Sequence, residues 1–133
     1  YPLSNIVPLL PAGGTELSTH IGVLDALGTL NIQFQLIVGI SGGSTIASSY
    51  CTGMPLKDIK KLAIETNFRQ FRGFSLITLL LQGGLSSGDE FERWMDEKLE
   101  GKTFEDISKD LHILATDVNG GGPIVFNKEN SAE

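Results

Sequence analysis

The residues of this sequence with the clearest capacity for chemistry are five consecutive positions, Gly39-Ile40-Ser41-Gly42-Gly43, which have the form Gly-x-Ser-x-Gly. In serine hydrolases this pattern holds the serine in a tight, strained turn between a strand and a helix, with its hydroxyl exposed. Glycines on both sides remove the Cβ atoms that would clash in such a turn. The pattern predicts that Ser41 is a nucleophile, and the alternative is a structural turn in a chain with 16 glycines.

A nucleophilic turn of this kind needs a strand before it and a helix after it, and the flanking sequence can form both. Residues 34–38 are an apolar run of strand-forming side chains, and residues 44–51 are mostly small, with helical potential. The hydroxyl of Ser41 would then lie at the positively polarised end of the following helix. This order of elements supports the interpretation of Ser41 as a nucleophile.

The preceding residues predict a second unit of the same kind. Residues 5–10 read as a strand, which the prolines in and beside it would shorten or place at a sheet edge. A turn at Gly13 and Gly14 follows, and apolar spacing predicts a helix over 17–30. We expect the strand over 34–38 to be parallel to the first strand, joined to it by a right-handed crossover. The sequence therefore predicts an α/β fold.

The rest of the chain alternates between amphipathic helices and short strands. Apolar spacing predicts one helix over 55–67 and another from Ser87, acting as the N-cap, to about residue 99. Residues 74–82 are strongly apolar, and we expect a buried short helix there in preference to a lipid-facing lid. Two strands, over 111–116 and 123–126, are expected to form a hairpin.

Neither histidine of the chain has the surroundings that a general base would need. His20 falls on the apolar stripe of the first predicted helix, where a histidine with one hydrogen-bond partner is the commoner case. His112 alternates with apolar residues and is most simply a strand residue. The two histidines and the single cysteine do not have the spacing of a metal site, so we expect neither a metal nor another cofactor.

The composition fits a single domain with a sizeable core, since 41% of the 133 residues are hydrophobic and 20% are charged. A net charge of −6 argues against a nucleic-acid partner. A lone cysteine, Cys51, cannot form an internal disulfide and favours a reducing, cytoplasmic location. No apolar run approaches the ~18 residues of a transmembrane helix, so any membrane contact would be peripheral.

Five segments, in order and in spacing, resemble the patatin-like phospholipase domain, a family of serine lipid acyl hydrolases. They are residues 12–14, His20-Ile21-Gly22-Val23-Leu24, Gly39-Ile40-Ser41-Gly42-Gly43, Gly101-Lys102-Thr103-Phe104-Glu105-Asp106 and Ala115-Thr116-Asp117-Val118-Asn119. The resemblance covers nearly all 133 residues and implies a three-layer α/β/α fold with a mainly parallel central sheet, incomplete at its C-terminal end. It identifies residues 1–133 as part of a single patatin-like domain.

The resemblance also implies a chemistry, in which Ser41 forms an acyl-enzyme with a lipid ester and is assisted by an aspartate in a Ser–Asp dyad. The backbone amides near Gly13, Gly14 and Thr15 would form the oxyanion hole that receives the carbonyl oxygen. The implied partner is therefore a lipid ester, met by a protein that is cytoplasmic or peripheral to a membrane.

Two features depart from the pattern of that family. Its glycine turn reads Gly-Gly-Gly-x-Arg/Lys-Gly, whereas Glu16 and Leu17 stand at the last two positions here, a change that would alter or weaken the oxyanion hole. Its catalytic aspartate lies in an Asp-Gly segment after the strand that ends in this motif, and none of the seven aspartates here precedes a glycine. We therefore expect the dyad aspartate to lie beyond Glu133 and do not assign its role to Asp117.

Three other interpretations differ in the chemistry they require. A catalytically inactive patatin-like module that binds lipid or protein is supported by Glu16, Leu17 and the missing aspartate. A triad hydrolase would need a histidine after the nucleophile, and His112 is the one candidate, without an acidic neighbour. A phosphate-binding loop is disfavoured because the segment from Gly42 to Thr45 lacks the lysine of that motif.

Overall fold

Four strands form one sheet in the computed structural model, which describes residues 5–12, 17–65 and 85–130. The strands are β1 (Leu9–Leu10), β2 (Leu36–Ile40), β3 (Asp110–Asp117) and β4 (Gly122–Phe126), and they lie in the sheet in that order. β1, β2 and β3 are parallel, and β4 is antiparallel to β3. The predicted α/β class with a mainly parallel sheet is confirmed.

Helices connect and cover these strands. The described helices are α1 (Leu17–Thr29), α2 (Gly42–Cys51), α3 (Leu56–Glu65) and α4 (Leu85–Lys98), and a single 3-10 turn spans Phe104–Asp106. The strand and the helix of both predicted units are present, since α1 follows β1 along the chain and α2 begins directly after Ser41. No helix in the part of the chain that the structure describes is long and apolar enough to cross a membrane.

The core lies between the sheet and the helices α1, α2 and α3. Along β2, Ile37 and Gly39 are buried, and the alternate residues Leu36, Val38 and Ile40 are half-buried. This alternation is expected when one face of the strand is packed more completely than the other. Ile37 packs in one cluster with Leu24 of α1, Ile46 of α2 and Ile59 of α3. These contacts hold each helix against the sheet, because the burial of apolar side chains is the main favourable contribution to the free energy of folding.

The strand register brings three strand ends to one edge of the sheet. Leu10 is opposite Gly39 in β1 and β2, and Ile40 is opposite Leu114 in β2 and β3. Because all three strands are parallel, their carboxyl ends point the same way, and Ser41 follows β2 at this edge. In open α/β sheets, ligands bind outside the carboxyl ends of the strands.

A tight turn joins β3 to β4, as the sequence predicts. The Asp117 carboxylate accepts a hydrogen bond from the Asn119 backbone N–H at 2.9 Å, and the Gly121 N–H donates to the Asp117 carbonyl at 2.8 Å. Gly121 has φ 72°, a conformation that favours glycine. The hairpin therefore uses its aspartate and its glycines as turn residues.

The boundaries of β1 and α4 depend on more than the apolar pattern of the sequence. β1 has two of the six residues in its apolar run and lies at the sheet edge, as the prolines predict, because Pro8 and Pro11 cannot donate to a ladder. Pro8 contributes only its carbonyl, which accepts from the Val38 N–H at 3.0 Å. α4 begins at Leu85, so Ser87 lies inside its first turn and is not the N-cap. A Ser-x-x-Glu pattern is compatible with the helix interior as well as with its start, so it did not determine the boundary.

Two expectations lie outside the described residues. They are the glycine turn with Gly13, Gly14 and Thr15, and the short apolar helix over 74–82.

Candidate active site

Ser41 lies between the last residue of β2 and the first residue of α2, with φ 53° and ψ −127°. A non-glycine residue in such a region costs about 1–3 kcal/mol, and residues of this kind concentrate at functional sites. Two other described non-glycine residues, Asn31 and Glu100, have positive φ, and each follows the end of a helix. Ser41 therefore has the strained strand-to-helix conformation that the Gly-x-Ser-x-Gly pattern predicts.

The strained turn is held by Ser44, three residues later. Its backbone N–H donates to the Ser41 carbonyl at 2.9 Å, and its hydroxyl donates to the same oxygen. Ser41 stands at the N-cap position of α2, yet its own hydroxyl makes no capping hydrogen bond. Ser41 is exposed, and its hydroxyl is not used to cap the helix.

Gly39 allows α2 to pack closely on the strand that precedes it. A Cβ atom at this position would lie 2.5 Å from the Ser44 Cα and 3.1 Å from the Ala47 Cβ. Real Cβ atoms do not approach backbone this closely, so no larger residue fits without moving the helix. The first glycine of the motif therefore sets the separation between β2 and the helix that Ser41 begins.

The first turn of α2 also packs against both ends of the β1–α1 connection. A Cβ atom at Gly43 would overlap the Leu10 carbonyl oxygen and lie 2.7 Å from the Pro11 oxygen. A Cβ atom at Gly42 would lie 3.0 Å from the Leu17 Cδ atoms. Leu10 and Pro11 at the end of β1, and Leu17 at the start of α1, thus lie beside the turn that carries Ser41.

The structure explains one of the two departures in the glycine turn. Leu17 is the first residue of α1, is buried, and is not among the residues with positive φ. Its backbone therefore does not need the angles that glycine alone adopts freely. The side chain instead fills the space that Gly42 leaves open.

His20 is a hydrogen-bonded structural residue, as expected. Its Nε2 lies 2.8 Å from the Pro11 carbonyl oxygen, to which it donates, and the side chain is half-buried. His112 is paired with Val38 in the sheet register, three residues before the level of Ser41. That places it about 10 Å along the strand direction from Ser41, at about 3.3 Å per residue. Neither histidine is placed as a base for Ser41.

Asp117 belongs to the β3–β4 turn. Its carboxylate is bonded to the Asn119 N–H, and a Cβ atom at Gly120 would overlap one of its oxygens. In the described part of the chain, the Ser41 hydroxyl has no hydrogen bond to a histidine or a carboxylate. The described residues also contain no group of three or more histidine, cysteine or acidic side chains that could hold a metal ion.

Cys51, at the other end of α2, is not a competing nucleophile. Burial raises the pKa of its thiol to about 11, and Lys109 only partly opposes this effect. The reactive thiolate is therefore scarce at neutral pH. Burial also raises the pKa of the neighbouring Tyr50 hydroxyl.

A cleft of about 290 Å³ lies at the same end of α2 as Cys51. Thr52, Met54 and Asp58 line one side, and Lys98 and Lys102 line the other. The Lys102 ammonium donates to the Thr52 carbonyl at 2.9 Å and so closes part of it. Because α2 has 10 residues and is about 15 Å long, this cleft is remote from Ser41.

The sequence indicates Ser41 and its glycines but not the role of Ser44 or the partner of His20. The small residues after Ser41 predict a helix, and a serine three positions after an N-cap is also able to donate to the cap carbonyl, as Ser44 does. The contact between His20 and Pro11 spans nine residues and has no sequence signal.

Comparison with known proteins gives two findings. The family model of the patatin-like phospholipases matches residues 9–132. Neuropathy target esterase sws from Drosophila grimshawi, Drosophila persimilis and Drosophila pseudoobscura pseudoobscura is in each case 24% identical over 112 residues. The aligned region covers 83% of this chain and 8% of each relative, so the chain spans less than a tenth of the length of these curated relatives.

Proposed function

Since the chain belongs to the patatin-like phospholipase family, a family of lipid hydrolases, we propose that it carries the nucleophile of a serine lipid acyl hydrolase, with Ser41 in that role. The observation that carries the proposal is the turn at Ser41, which has φ 53° and lies where α2 packs closely on β2. Its hydroxyl is exposed at the carboxyl edge of the sheet and is not used to cap α2.

The proposed reaction has two steps. The Ser41 oxygen attacks the carbonyl carbon of a lipid ester, its proton passes to a base, and the alcohol or lysolipid leaves with a proton. Water then attacks the acyl-serine ester, releases the fatty acid and restores the Ser41 hydroxyl. Both steps pass through a tetrahedral intermediate whose oxygen carries negative charge, so both require an oxyanion hole.

We propose that the amides of Gly13, Gly14 and Thr15 form that oxyanion hole. The support is indirect and comes from the residues on either side of them. Pro11 approaches Gly43, and Leu17 packs against Gly42, so both flanks of the turn contact the first turn of α2. Loss of one direct oxyanion donor typically slows catalysis about 10²–10³-fold.

The general base is proposed to be an aspartate outside residues 1–133, which would then form part of one patatin-like domain. Within the described ranges the hydroxyl of Ser41 has no partner that could take its proton, and both histidines are placed elsewhere. The aspartate that ends β3 is bonded to its own turn. A base supplied by a later segment, at the same edge of the sheet, would complete a Ser–Asp dyad.

The substrate class is proposed from the family and from the relatives. The matched family is named for phospholipid cleavage, and the relatives are named as esterases. A lipid ester held at a membrane surface fits both, and it requires no cofactor, since Ser41, the amides and a carboxylate suffice for acyl transfer. We propose a cytoplasmic protein that meets its substrate peripherally at the membrane.

The test is labelling of the full-length protein with a fluorophosphonate, which reacts with activated serines. We expect one labelled site, Ser41, and loss of both labelling and ester turnover in Ser41→Ala. Ser108→Ala, at an exposed serine after the 3-10 turn, is the matched control and should keep both. Labelling that persists in Ser41→Ala would contradict the assignment.

The second candidate is a catalytically inactive patatin-like module that binds lipid or a protein partner. It is favoured by Glu16, whose negative charge is unfavourable beside a developing oxyanion unless it points away. The same experiment separates the two functions. A folded wild-type protein that neither reacts with the fluorophosphonate nor cleaves esters would support the inactive module.

A further inference from the structure

We propose that the tip of the β3–β4 hairpin, residues 118–121, contacts the lipid bilayer that holds the substrate, with Val118 as the side chain that enters it. The inference rests on the proposed function of Ser41 as the nucleophile for a lipid ester. It goes beyond that function because it names the part of the protein that touches the lipid, and so fixes which way the carboxyl edge of the sheet faces.

The hairpin projects past the end of the strand that leads to Ser41. Ile40, the last residue of β2, is paired with Leu114, whereas β3 continues to Asp117. These three further residues extend the strand by about 10 Å, at about 3.3 Å per residue. Because β2 and β3 are parallel, the extension leaves the sheet at the edge where Ser41 lies. A surface that approaches this edge would therefore meet the hairpin tip before it meets Ser41.

The tip presents one apolar side chain to solvent. Val118 is 91% exposed, the highest value among the large hydrophobic side chains of the described residues. Asn119 and three glycines follow it, so no second bulky side chain shares the tip. The carboxylate of Asp117, which precedes Val118, is half-buried and accepts a hydrogen bond from the Asn119 N–H. The turn thus holds its acidic group against its own backbone and leaves the valine outermost.

The carboxyl edge of the sheet carries little charge, although the chain has a net charge of −6. The described segments that meet at this edge are residues 10–12, 17–20, 41–45 and 116–123. In these segments Asp117 is the one aspartate, glutamate, lysine or arginine. The opposite edge instead has four charged residues beside the start of β3 and the end of β4, namely Lys109, Asp110, Lys128 and Glu129.

This distribution of charge favours a lipid surface as the partner of the hairpin tip. Anionic lipids give the cytoplasmic leaflet a negative surface potential, which repels acidic groups. An acidic protein therefore approaches such a leaflet best through an uncharged part of its surface, and the carboxyl edge is such a part.

The competing explanation is that another part of the full-length protein covers Val118. A side chain in a packed contact normally touches several other apolar side chains. The neighbours of Val118 at the tip are Asn119 and glycines, which offer no such cluster. A single apolar side chain on a narrow projection fits entry between lipid head groups better than it fits a packed interface.

The binding test measures how the full-length protein partitions onto vesicles of phosphatidylcholine and phosphatidylserine. We expect Val118→Asp to partition about tenfold less strongly, because full burial of a valine side chain contributes about one factor of ten. Leu30→Asp is the matched control. Leu30 is also exposed, at 61%, but it lies between α1 and β2, at the opposite edge of the sheet. This variant should partition as the wild type does.

A second measurement reports contact with lipid and does not depend on ester turnover. Brominated acyl chains quench the fluorescence of an indole that touches them, and tryptophan is well suited to the membrane interface. With vesicles of brominated phosphatidylcholine and phosphatidylserine, we expect the tryptophan added in Val118→Trp to be quenched and the one added in Leu30→Trp to remain unquenched.

The inference would be overturned if the wild type did not partition onto the vesicles, or if Val118→Asp partitioned within about twofold of it. An equal loss in Leu30→Asp, or equal quenching of the two added tryptophans, would have the same meaning. Val118→Asp should also melt within about 4 °C of wild type. A larger decrease would show that the protein itself covers Val118, which also contradicts the inference.

The two proposals fail in different ways. A wild type that binds vesicles through Val118 but cleaves no ester would leave the lipid contact standing and refute the proposed function. A wild type that cleaves esters through Ser41 but binds vesicles equally well in Val118→Asp would refute the lipid contact and leave the proposed function standing.

Discussion

Three glycines and one serine create the environment of Ser41, each by a contact that a larger or less polar side chain would prevent. Gly39 lets α2 approach β2, Gly42 receives Leu17, and Gly43 lies against the end of β1. Ser44 then fixes the turn with two hydrogen bonds to one carbonyl. The strain at Ser41 is thus maintained by its neighbours, since packing around a residue must over-determine an unfavourable backbone conformation for it to persist.

The first glycine of the motif should be highly sensitive to substitution. In Gly39→Ala the added methyl group would lie 2.5 Å from the Ser44 Cα, so α2 must move away from β2. We expect a loss of about 1–3 kcal/mol in the free energy of unfolding, the usual cost of overpacking. Urea denaturation measures this loss, and fluorophosphonate labelling of Ser41 should slow in parallel.

Gly22→Ala is the matched control, because a methyl group there would meet nothing within 4 Å in the middle of α1. Alanine is the better helix former by about 1 kcal/mol, so this variant should be as stable as wild type or more stable. If Gly39→Ala proved as stable as Gly22→Ala, the close packing of α2 on β2 would be refuted as the source of the strained turn.

The strained conformation of Ser41 could be predicted from sequence, but the residues that hold it in place could not. A Gly-x-Ser-x-Gly pattern constrains backbone angles within five residues, so Ser41 and its strain follow from local sterics. The second bond from Ser44 depends on where the Ser41 carbonyl points, and the bond from His20 depends on the packing of α1 beside β1. Both are consequences of the folded geometry.

At the scale of elements, apolar periodicity predicted most helices and strands. The residues at which some of them begin or end depend on local features that periodicity does not include. α1 and β3 begin and end within about two residues of expectation, because their apolar spacing extends over their whole length. β1 is shorter than its apolar run and lies at an edge of the sheet, as the prolines in and beside it predict, because proline has no N–H to donate. The start of α4 differs because a capping pattern alone cannot distinguish the cap from the first turn.

The short turn before β3 contains a capping box that should respond to pH. The Asp106 carboxylate accepts hydrogen bonds from the Thr103 backbone N–H at 2.8 Å and from its hydroxyl at 2.9 Å. These bonds, the backbone one first, lower the pKa of Asp106 below its ordinary value of 3.8. A carboxyl group with a lowered folded pKa stabilises the fold above its unfolded pKa, and this stabilisation is lost as pH falls through the folded value.

We therefore expect Asp106→Asn to melt at a lower temperature than wild type at neutral pH, with the difference shrinking as the pH is lowered below about 4. Thermal melts across this pH range measure the difference. Glu105→Gln, in the same 3-10 turn, serves as the control, because Glu105 makes a 3.5 Å ion pair with Lys128 between exposed side chains and takes no part in the capping box. A difference between Asp106→Asn and wild type that stays constant down to low pH would contradict the assignment.

At the scale of the molecule, the parallel order of β1, β2 and β3 determines where the candidate active site lies. It brings the end of β1, the turn at Ser41 and the end of β3 to one edge of the sheet. The cleft at the opposite end of α2 has no such convergence of strand ends. The α/β class could be predicted from the alternation of strands, glycine turns and helices, because that alternation leaves few topologies open.

The isolated 133-residue chain is expected to be unable to hydrolyse esters efficiently. A serine hydroxyl is a poor nucleophile without a positioned base, and general-base assistance is typically worth about 10²–10⁴ in rate. We expect background turnover from residues 1–133 alone, and Ser41-dependent turnover from a longer protein that includes the proposed aspartate. Circular dichroism must show that the fragment is folded in the same assay buffer.

Efficient turnover by the folded fragment, abolished in Ser41→Ala, would place the base within these residues and refute the dyad as proposed. A base mapped by replacing His112 or Asp117 in that fragment would then identify which of the excluded candidates takes the proton.

The buried thiol at the last position of α2 gives the protein an internal reporter of the helix that Ser41 begins. Cys51 is the single cysteine of the chain, is buried, and has a pKa raised to about 11. An alkylating reagent at neutral pH can therefore reach a reactive thiolate only when the helix separates transiently from the sheet. The alkylation rate would then measure an opening equilibrium about 15 Å from Ser41. Slower alkylation after a fluorophosphonate has reacted with Ser41 would show that phosphonylation at one end of α2 makes opening at its other end rarer.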